Sequence, residues 1–476
     1  MPKYAFSAHD ICSIVSSLEK KQLVRDEDKI FVQIQLQKLC ENRQEHIIER
    51  LSSAITGNSK ELSSLVRDLL NIDVDRVRSA YVDNVLADKD SPESKKHEDK
   101  IEPIPLLEER DPAWYTEDSN GCFDIQLPTH YSLFELQAQR LLKVMTLAHE
   151  RFPKYKRVHV PWYILVSDAT ANETLSFFKE HNFFGLPKED VVFFKQGKIP
   201  CVNEEGRILM STPYSIARSP NGNGGLYEAL AVGPYLDDME RRGILHVCAF
   251  SVDNVLVQPV DPWVIGAASM KHARAALKVV QKTRPDEKVG MVVLRNGKPA
   301  VIEYSELGPD MANEVEEVQG EQVLRFRAAN IAYHYFRRSF LDQVARSDIR
   351  LPLHIAHKKI PYYDFDENKH VEPTSPNGYK FEMFIFDVLP FLRRDNFICL
   401  EVNRDDEFSP LKNGLNAKTE NAKTCLESLY ALSEKWILEN GGTLAEKPIF
   451  IPPNVSLRGE GLEWLKGKNC VQKDFL

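Results

Sequence analysis

The sequence predicts an α/β fold on a mixed sheet, preceded by a helical region. Three observations carry this. From Gly121 onward, apolar runs of strand length alternate with stretches of helical period, the order expected of strands joined by helical crossovers. The stretch Ser219-Pro220-Asn221-Gly222-Asn223-Gly224-Gly225-Leu226-Tyr227 places three glycines and two asparagines in five positions, directly before a helix-spaced apolar set of Leu226, Ala229, Leu230 and Ala231. Such a loop tolerates positive φ, lets a ligand approach bare main chain, and offers the N–H groups of a helix start to an anionic or polar ligand. Apolar runs at 290–294 and 299–304 flank Arg295-Asn296-Gly297-Lys298, a hairpin signal, so antiparallel strands accompany the parallel ones.

In chain order, positions 7–87 read as helices, with Ile11, Ile14, Val15 and Leu18 on one face and Leu36, Leu39, Ile47, Ile48 and Leu51 on others. The charged stretch 88–100, interrupted by Pro92, reads as a solvated connector. Pro103 and Pro105 keep the next segment extended. A helix over 133–152, a strand at 162–167, a helix over 169–181 and a strand at 191–196 lead to the glycine loop and its helix. A buried strand over 245–252 then ends at Asp253-Asn254, and a helix runs from Trp263 to about Val280. Helical pieces over 323–344 and 381–391, a strand at 397–402 and a helix over 419–439 follow. The tail beyond Gly441, with Pro448, Pro452 and Pro453, suits a small terminal β module. The expected organisation is a helical region with its connector (1–100), an α/β domain (101–400) and a C-terminal segment (401–476). A carboxylate at the carboxyl end of a strand is where open α/β sheets place ligand chemistry, so Asp253 and the glycine loop are expected to wall one pocket.

Composition excludes several function classes. With 476 residues, 43% of them hydrophobic, the chain can build two or three domains. Charges break every apolar run before membrane-spanning length, and Met1-Pro2-Lys3 leads into no signal-peptide core, so a cytoplasmic protein with no membrane role is expected. A net charge of -9 disfavours broad contact with nucleic acid and leaves room for a local basic pocket for phosphates. The eight cysteines are scattered without a CxxC pair, which suits reduced thiols rather than a disulfide framework or a structural zinc.

Five segments in order carry a family likeness: Gly121-Cys122-Phe123-Asp124-Ile125 with Leu127-Pro128; Phe193-Phe194-Lys195-Gln196-Gly197; the loop from Asn221 to Tyr227; Val252-Asp253-Asn254-Val255-Leu256; and Phe408-Ser409-Pro410-Leu411-Lys412-Asn413. Read singly, each has an ordinary explanation. The loop could be a strand-to-helix turn and Asp253 a cap, Phe384 and Phe386 core residues, Lys412 a solvated lysine and Gln196 a polar strand end. Together, with Val301 to Glu306, Ala329-Asn330-Ile331 and Phe384 to Asp387, the set resembles the eukaryotic UDP-N-acetylhexosamine pyrophosphorylases over about positions 121–439.

That resemblance implies a Rossmann-like nucleotide-diphospho-sugar transferase fold. It also implies a reaction joining UTP and N-acetylglucosamine 1-phosphate into UDP-N-acetylglucosamine and pyrophosphate with Mg²⁺. Carried across residue by residue, Gln196 and Gly222 read the uracil and Asn223 meets the sugar or ribose. Asp253 sits by the phosphates and metal, Glu303 and Asn330 bind sugar hydroxyls, Phe384 and Phe386 wall the N-acetyl group, and Lys412 neutralises phosphate charge. Ala329 stands where the family prefers Gly.

One family element is absent. No GGxGTRLG loop occurs anywhere, and the chain passes from Trp114 through Ser119 to Asn120-Gly121, with Asn120 in the place of the family lysine. The first strand and its phosphate-wrapping loop are therefore expected to be missing. Losing one transition-state stabiliser costs on the order of 3 kcal/mol, so turnover is expected to be very slow or nil while the sugar-nucleotide pocket persists. Two origins fit: a coding segment omitted at this junction, favoured by the retained pocket residues, or a divergent member that binds a UDP-sugar or acts as a scaffold. UDP-glucose and UDP-N-acetylgalactosamine remain open as the sugar nucleotide.

Overall fold

The computed structural model describes residues 6–55, 59–86, 99–104, 107–108, 119–155, 158–303, 306–318, 320–414 and 416–476. The connector at 88–98 and the junction at 114–118 lie outside the described residues. The chain forms two compact units. The first comprises Met1–His97, Gln196–Glu228 and Arg350–Ile385, and the second Glu98–Lys195, Ala229–Ile349 and Phe386–Leu476.

In the first unit the expected helices are Ala8–Lys20, Lys29–Glu41, Glu45–Ala54, Ser59–Leu70 and Val74–Tyr81. Ser7 caps the first through a reciprocal pair with Asp10, and the faces predicted from periodicity are buried, from Ile11 to Leu18 and at Leu36, Leu39, Ile47, Ile48 and Leu51. These helices clasp an irregular β segment. The buried Gln44 donates to the Gly206 carbonyl at 2.9 Å and accepts from the Ile208 N–H at 2.8 Å, and the Tyr81 hydroxyl donates to the Glu204 carbonyl at 2.8 Å. Gly378–Glu382 pairs antiparallel with His354–Lys358 on one side and Val202–Asn203 on the other, while Lys198–Pro200 pairs with Arg218–Pro220.

The second unit holds the mixed sheet that the sequence predicts. Its strands run in the order Ile101–Pro103, Met291–Arg295, Ala328–Arg337, Ala275–Gln281, Phe397–Val402, Leu107–Glu108. Lys298–Ile302 pairs with Met291–Arg295 in the expected hairpin, whose Asn296 and Gly297 both take positive φ. Ala275–Gln281 and Phe397–Val402 are parallel. A second pair, Trp162–Val166 with Val191–Lys195, is also parallel and is joined by no backbone pairing to the larger sheet among the described residues. The long helices at Leu133–Arg151 and Ala422–Glu439 and the short parallel pair Thr443–Leu444 with Asn469–Cys470 match expectation. No helix among the described residues is long and apolar enough to cross a membrane.

Four stretches differ from the periodicity reading. The helix from Trp263 stops at Met270, His272 takes positive φ, and Ala275–Gln281 is a central strand, buried except at Gln281. The 323–344 region gives the ten-residue strand Ala328–Arg337 before the helix Arg338–Ala345, and 381–391 splits into the end of a strand and the short 3-10 stretch Ile385–Phe391. Runs of alanine, leucine and phenylalanine suit either state, and pairing on both edges decides for strand. Conversely, the buried strand expected at 245–252 is the half-buried His246–Ala249, which pairs only with Ala328–Arg337 among the described residues. An edge strand has neighbours on one side alone, which accounts for its exposure.

Inside the second unit lies a closed group of four charges. Lys278, with 0% exposure on the central strand, pairs with Asp261 and with Glu407 at 2.9 Å. Arg458 reaches Asp261 at 2.8 Å and Glu407 at 3.1 Å. Burial pushes the Glu407 carboxyl above the usual range, whereas Lys278 and Arg458 outweigh burial at Asp261 and hold it below. Replacing one member of such a group leaves an uncompensated charge, so Lys278→Met should lower the urea-unfolding free energy at pH 7 by about 3–5 kcal/mol, and Lys278→Met with Glu407→Gln by less.

His334 is fully buried in the strand Ala328–Arg337, where desolvation lowers its pKa to about 3 from 6.5. Its neutral form therefore supports the fold above pH 6.5, and this support is lost as pH falls toward 3, because the unfolded chain takes up the proton first. By pH 4.5 the loss reaches about 3 kcal/mol. Urea unfolding of His334→Leu should accordingly show a smaller stability drop between pH 7 and pH 4.5 than the unsubstituted chain.

Candidate functional site

The glycine loop is built on a rib of main chain. Gly224 donates its N–H to the Met383 carbonyl at 2.8 Å, and the Met383 N–H donates to the Asn221 carbonyl at 2.8 Å. Gly222 takes φ +81°, and a Cβ there would lie 2.4 Å from the Met383 oxygen. Only glycine fits, because the conformation and the space both exclude a side chain. Asn221, 1% exposed, fills the space left by the missing Cβ atoms of Gly197 and Gly225.

Three sequence-predicted residues converge on this loop. Gln196 donates to the Gly222 carbonyl at 2.6 Å, and the Asn223 side chain accepts the Ile385 N–H at 2.8 Å. Phe384, half-buried, lies with its ring 4.4 Å from that of His354. The expectation that the helix start leaves its N–H groups open needs correction. Gly225, Leu226 and Tyr227 donate to Gly222, Asn223 and Gly224 within the turn. Within the loop, the amides without an intramolecular hydrogen bond among the described residues are those of Gly222 and Asn223, ahead of the helix start. Closing the turn by i to i+3 bonds consumes the first helical donors.

In the second unit Asp253 and Lys412 come together through Asn254. The fully buried Asn254 donates from Nδ2 to the Glu407 carbonyl at 2.9 Å and accepts the Ser409 N–H at 2.9 Å, while the Leu411 N–H donates to the Asp253 carbonyl at 3.0 Å. Lys412 follows directly, its amide held by the Glu420 carbonyl at 2.9 Å and its ammonium 3.9 Å from the Glu420 carboxylate. Asp253 itself is fully buried, and no group of three or more His, Cys, Asp or Glu among the described residues could cage a metal ion.

A second pair in this unit is Glu303 and Asn330. Ile302, Met291 and Ala329 are cross-strand partners, and one row further the Asn330 N–H donates to the Gly290 carbonyl at 2.8 Å. A Cβ on Gly290 would lie 3.5 Å from a Glu303 carboxylate oxygen. Asn330 sits beside an irregularity opposite Lys278 and Val279, where its Oδ1 accepts the Ala332 N–H at 2.9 Å and Ala332 takes positive φ. Such a bulge re-aims a side chain. Phe386 is buried in the 3-10 stretch Ile385–Phe391. Sequence reasoning did not single out Met383, His354 or Glu407 because nothing local marks them, whereas Asn254 was legible beside Asp253.

Comparison with known proteins shows the family of the chain. A family model described as UTP–glucose-1-phosphate uridylyltransferase matches residues 125–461. A Schizosaccharomyces pombe protein named "Probable UDP-N-acetylglucosamine pyrophosphorylase" is 48% identical over 355 residues, covering 74% of this chain and 75% of that protein. The UDP-N-acetylglucosamine pyrophosphorylase of Saccharomyces cerevisiae is 41% identical over 355 residues, 73% of this chain and 72% of its own length. The crystal structure of the uridine diphosphate N-acetylglucosamine pyrophosphorylase from Trypanosoma brucei, at 24% identity, superposes with a TM-score of 0.73 over 97% of this chain and 95% of that one, which establishes the fold. The chain belongs to the UTP–glucose-1-phosphate uridylyltransferase family, together with the eukaryotic UDP-N-acetylglucosamine pyrophosphorylases.

Proposed function

We propose that this chain binds a uridine diphospho-sugar in a site built for its synthesis from UTP and N-acetylglucosamine 1-phosphate in the cytoplasm. A phosphate oxygen of the sugar phosphate attacks the α-phosphorus of UTP, the bond from that phosphorus to the bridging oxygen breaks, and pyrophosphate leaves. The observation that carries the reading is the glycine loop, where Gly222 has no room for a Cβ and the adjacent amides of Gly222 and Asn223 carry no intramolecular hydrogen bond among the described residues. A uracil offers carbonyl acceptors to such amides, and Gln196 is already bonded to the same turn.

In this reading Asn223 meets the ribose or sugar, Glu303 and Asn330 take the sugar hydroxyls, and Phe384 and Phe386 flank the N-acetyl group. Lys412 faces the phosphates, where a cation stabilises developing charge. Mg²⁺ enters with the nucleotide phosphates rather than as a resident ion, since magnesium is commonly held by one or two carboxylates and substrate phosphates, and Asp253 is the carboxylate proposed for it. The absence of GGxGTRLG leaves Lys412 as the one cation in the proposed set, which favours binding over turnover in the chain as it stands.

Isothermal calorimetry should show saturable binding of UDP-N-acetylglucosamine by the chain. Gly222→Ala, forced into strained φ against Met383, should abolish it or weaken it at least tenfold. No saturable binding by the unsubstituted chain would overturn the reading. In a pyrophosphate-release assay with UTP, N-acetylglucosamine 1-phosphate and Mg²⁺, insertion of a strand and GGxGTRLG loop between Trp114 and Gly121 should raise the rate by at least a hundredfold. An unchanged rate would count against a site built for synthesis.

A further inference from the structure

The helices of the first unit precede the 125–461 family match, and the reading above gives them no part in the site. Arg76, on the helix Val74–Tyr81, connects them to it. Its side chain is 19% exposed and its guanidinium forks between two supports of the glycine loop. One arm, Nη1, donates to Glu228 Oε1 at 2.8 Å. The other, Nη2, donates to the Leu351 carbonyl at 3.0 Å and contacts Met383 Sδ at 3.0 Å.

Both supports hold the loop directly. The second oxygen of Glu228 accepts from Asn221 Nδ2 at 3.0 Å, which fixes the side chain seated against Gly197 and Gly225. Met383 is the rib itself, bonded through its carbonyl to Gly224 and through its N–H to Asn221. A planar guanidinium can serve both arms at once, whereas an ammonium is a single point charge. Arg350 offers a contrast: it comes from the segment before the strand His354–Lys358, pairs with Asp73, the N-cap of the same helix, at 2.7 Å, and its side chain is 69% exposed.

We propose that Arg76 is a positioning residue for the glycine loop, so that the helical region sets the affinity of this chain for uridine nucleotides by fixing where the amides of Gly222 and Asn223 point. The inference rests on the uridine reading of that loop. Arg76 touches no substrate. It acts through Glu228 on Asn221 and through Met383 on Gly224.

The test uses the full chain, with UDP-N-acetylglucosamine as the calorimetric probe and hydrogen exchange of the ligand-free protein as a second readout. Arg76→Ala should weaken binding about tenfold, the effect of losing one charge-assisted contact. Arg76→Lys, which keeps the pair with Glu228 and loses the fork, should fall between, and Arg350→Ala should bind as the unsubstituted chain does. In Arg76→Ala, exchange over 221–227 should quicken while the helices Ala8–Lys20 and Lys29–Glu41 keep their protection. Equal affinity of Arg76→Ala and Arg350→Ala, or unchanged exchange over 221–227, would overturn the proposal, as would loss of protection throughout the helices, which would make Arg76 a folding residue. If the unsubstituted chain fails to bind the probe, the uridine reading falls and takes this inference with it, a result distinct from a chain that binds and is indifferent to Arg76.

Discussion

The second unit depends on an interlocked set of four charged side chains, three of them buried. Lys278 stands on the central strand, Asp261 caps the helix Pro262–Met270, Glu407 ends a short helix before the Phe408 to Lys412 stretch, and Arg458 comes from the C-terminal segment. Each group satisfies the others, so elements separated by nearly two hundred positions can meet only in one arrangement. Charges removed from water carry a large desolvation penalty, and a set that is complete tolerates it where a set missing one member does not. Glu407 also passes this constraint outward, because its carbonyl accepts from Asn254 and so ties the Asp253 turn to the strand of residues that delivers Lys412.

The first unit solves a different problem, the support of a loop that has little side chain of its own. Glycines give the loop its shape and deprive it of packing, so its rigidity must come from outside. Met383 supplies it from the main chain, Asn221 fills the glycine spaces, and Glu228 and Arg76 hold Asn221 and Met383 in turn. A Cβ on Gly222 would lie 2.4 Å from a backbone oxygen, which leaves no room for relaxation. Conformational freedom in sequence thus becomes fixed geometry in the fold, which is what a pre-organised binding loop requires.

Much of this was legible in advance where the physics is local. The N-terminal helices followed from apolar spacing, the Asn296-Gly297 hairpin from its turn chemistry, and the helix Ala422–Glu439 from its period, with Asn421 capping it. The reading failed where two states compete for the same residues. Ala275–Gln281 and Ala328–Arg337 carry alanine, leucine and aromatic residues that suit a helix, and they become strands because each is flanked by other strands. The open amides of the glycine loop also lie ahead of the helix start rather than in its first turn, since the turn closes on its own first donors before any ligand is considered.

By itself the sequence determined the residue types at the candidate site, the glycine loop, the turn after His246–Ala249 and the helical region, because each is a matter of backbone freedom, charge or period within a few positions. Tertiary structure alone decided that Gly222 lies against Met383, that Asn254 reaches Glu407, and that Arg76 holds Glu228. Those contacts join positions more than one hundred and fifty apart, and no local energy term selects such partners. They form only when burial of both segments brings unsatisfied polar groups within reach of one another.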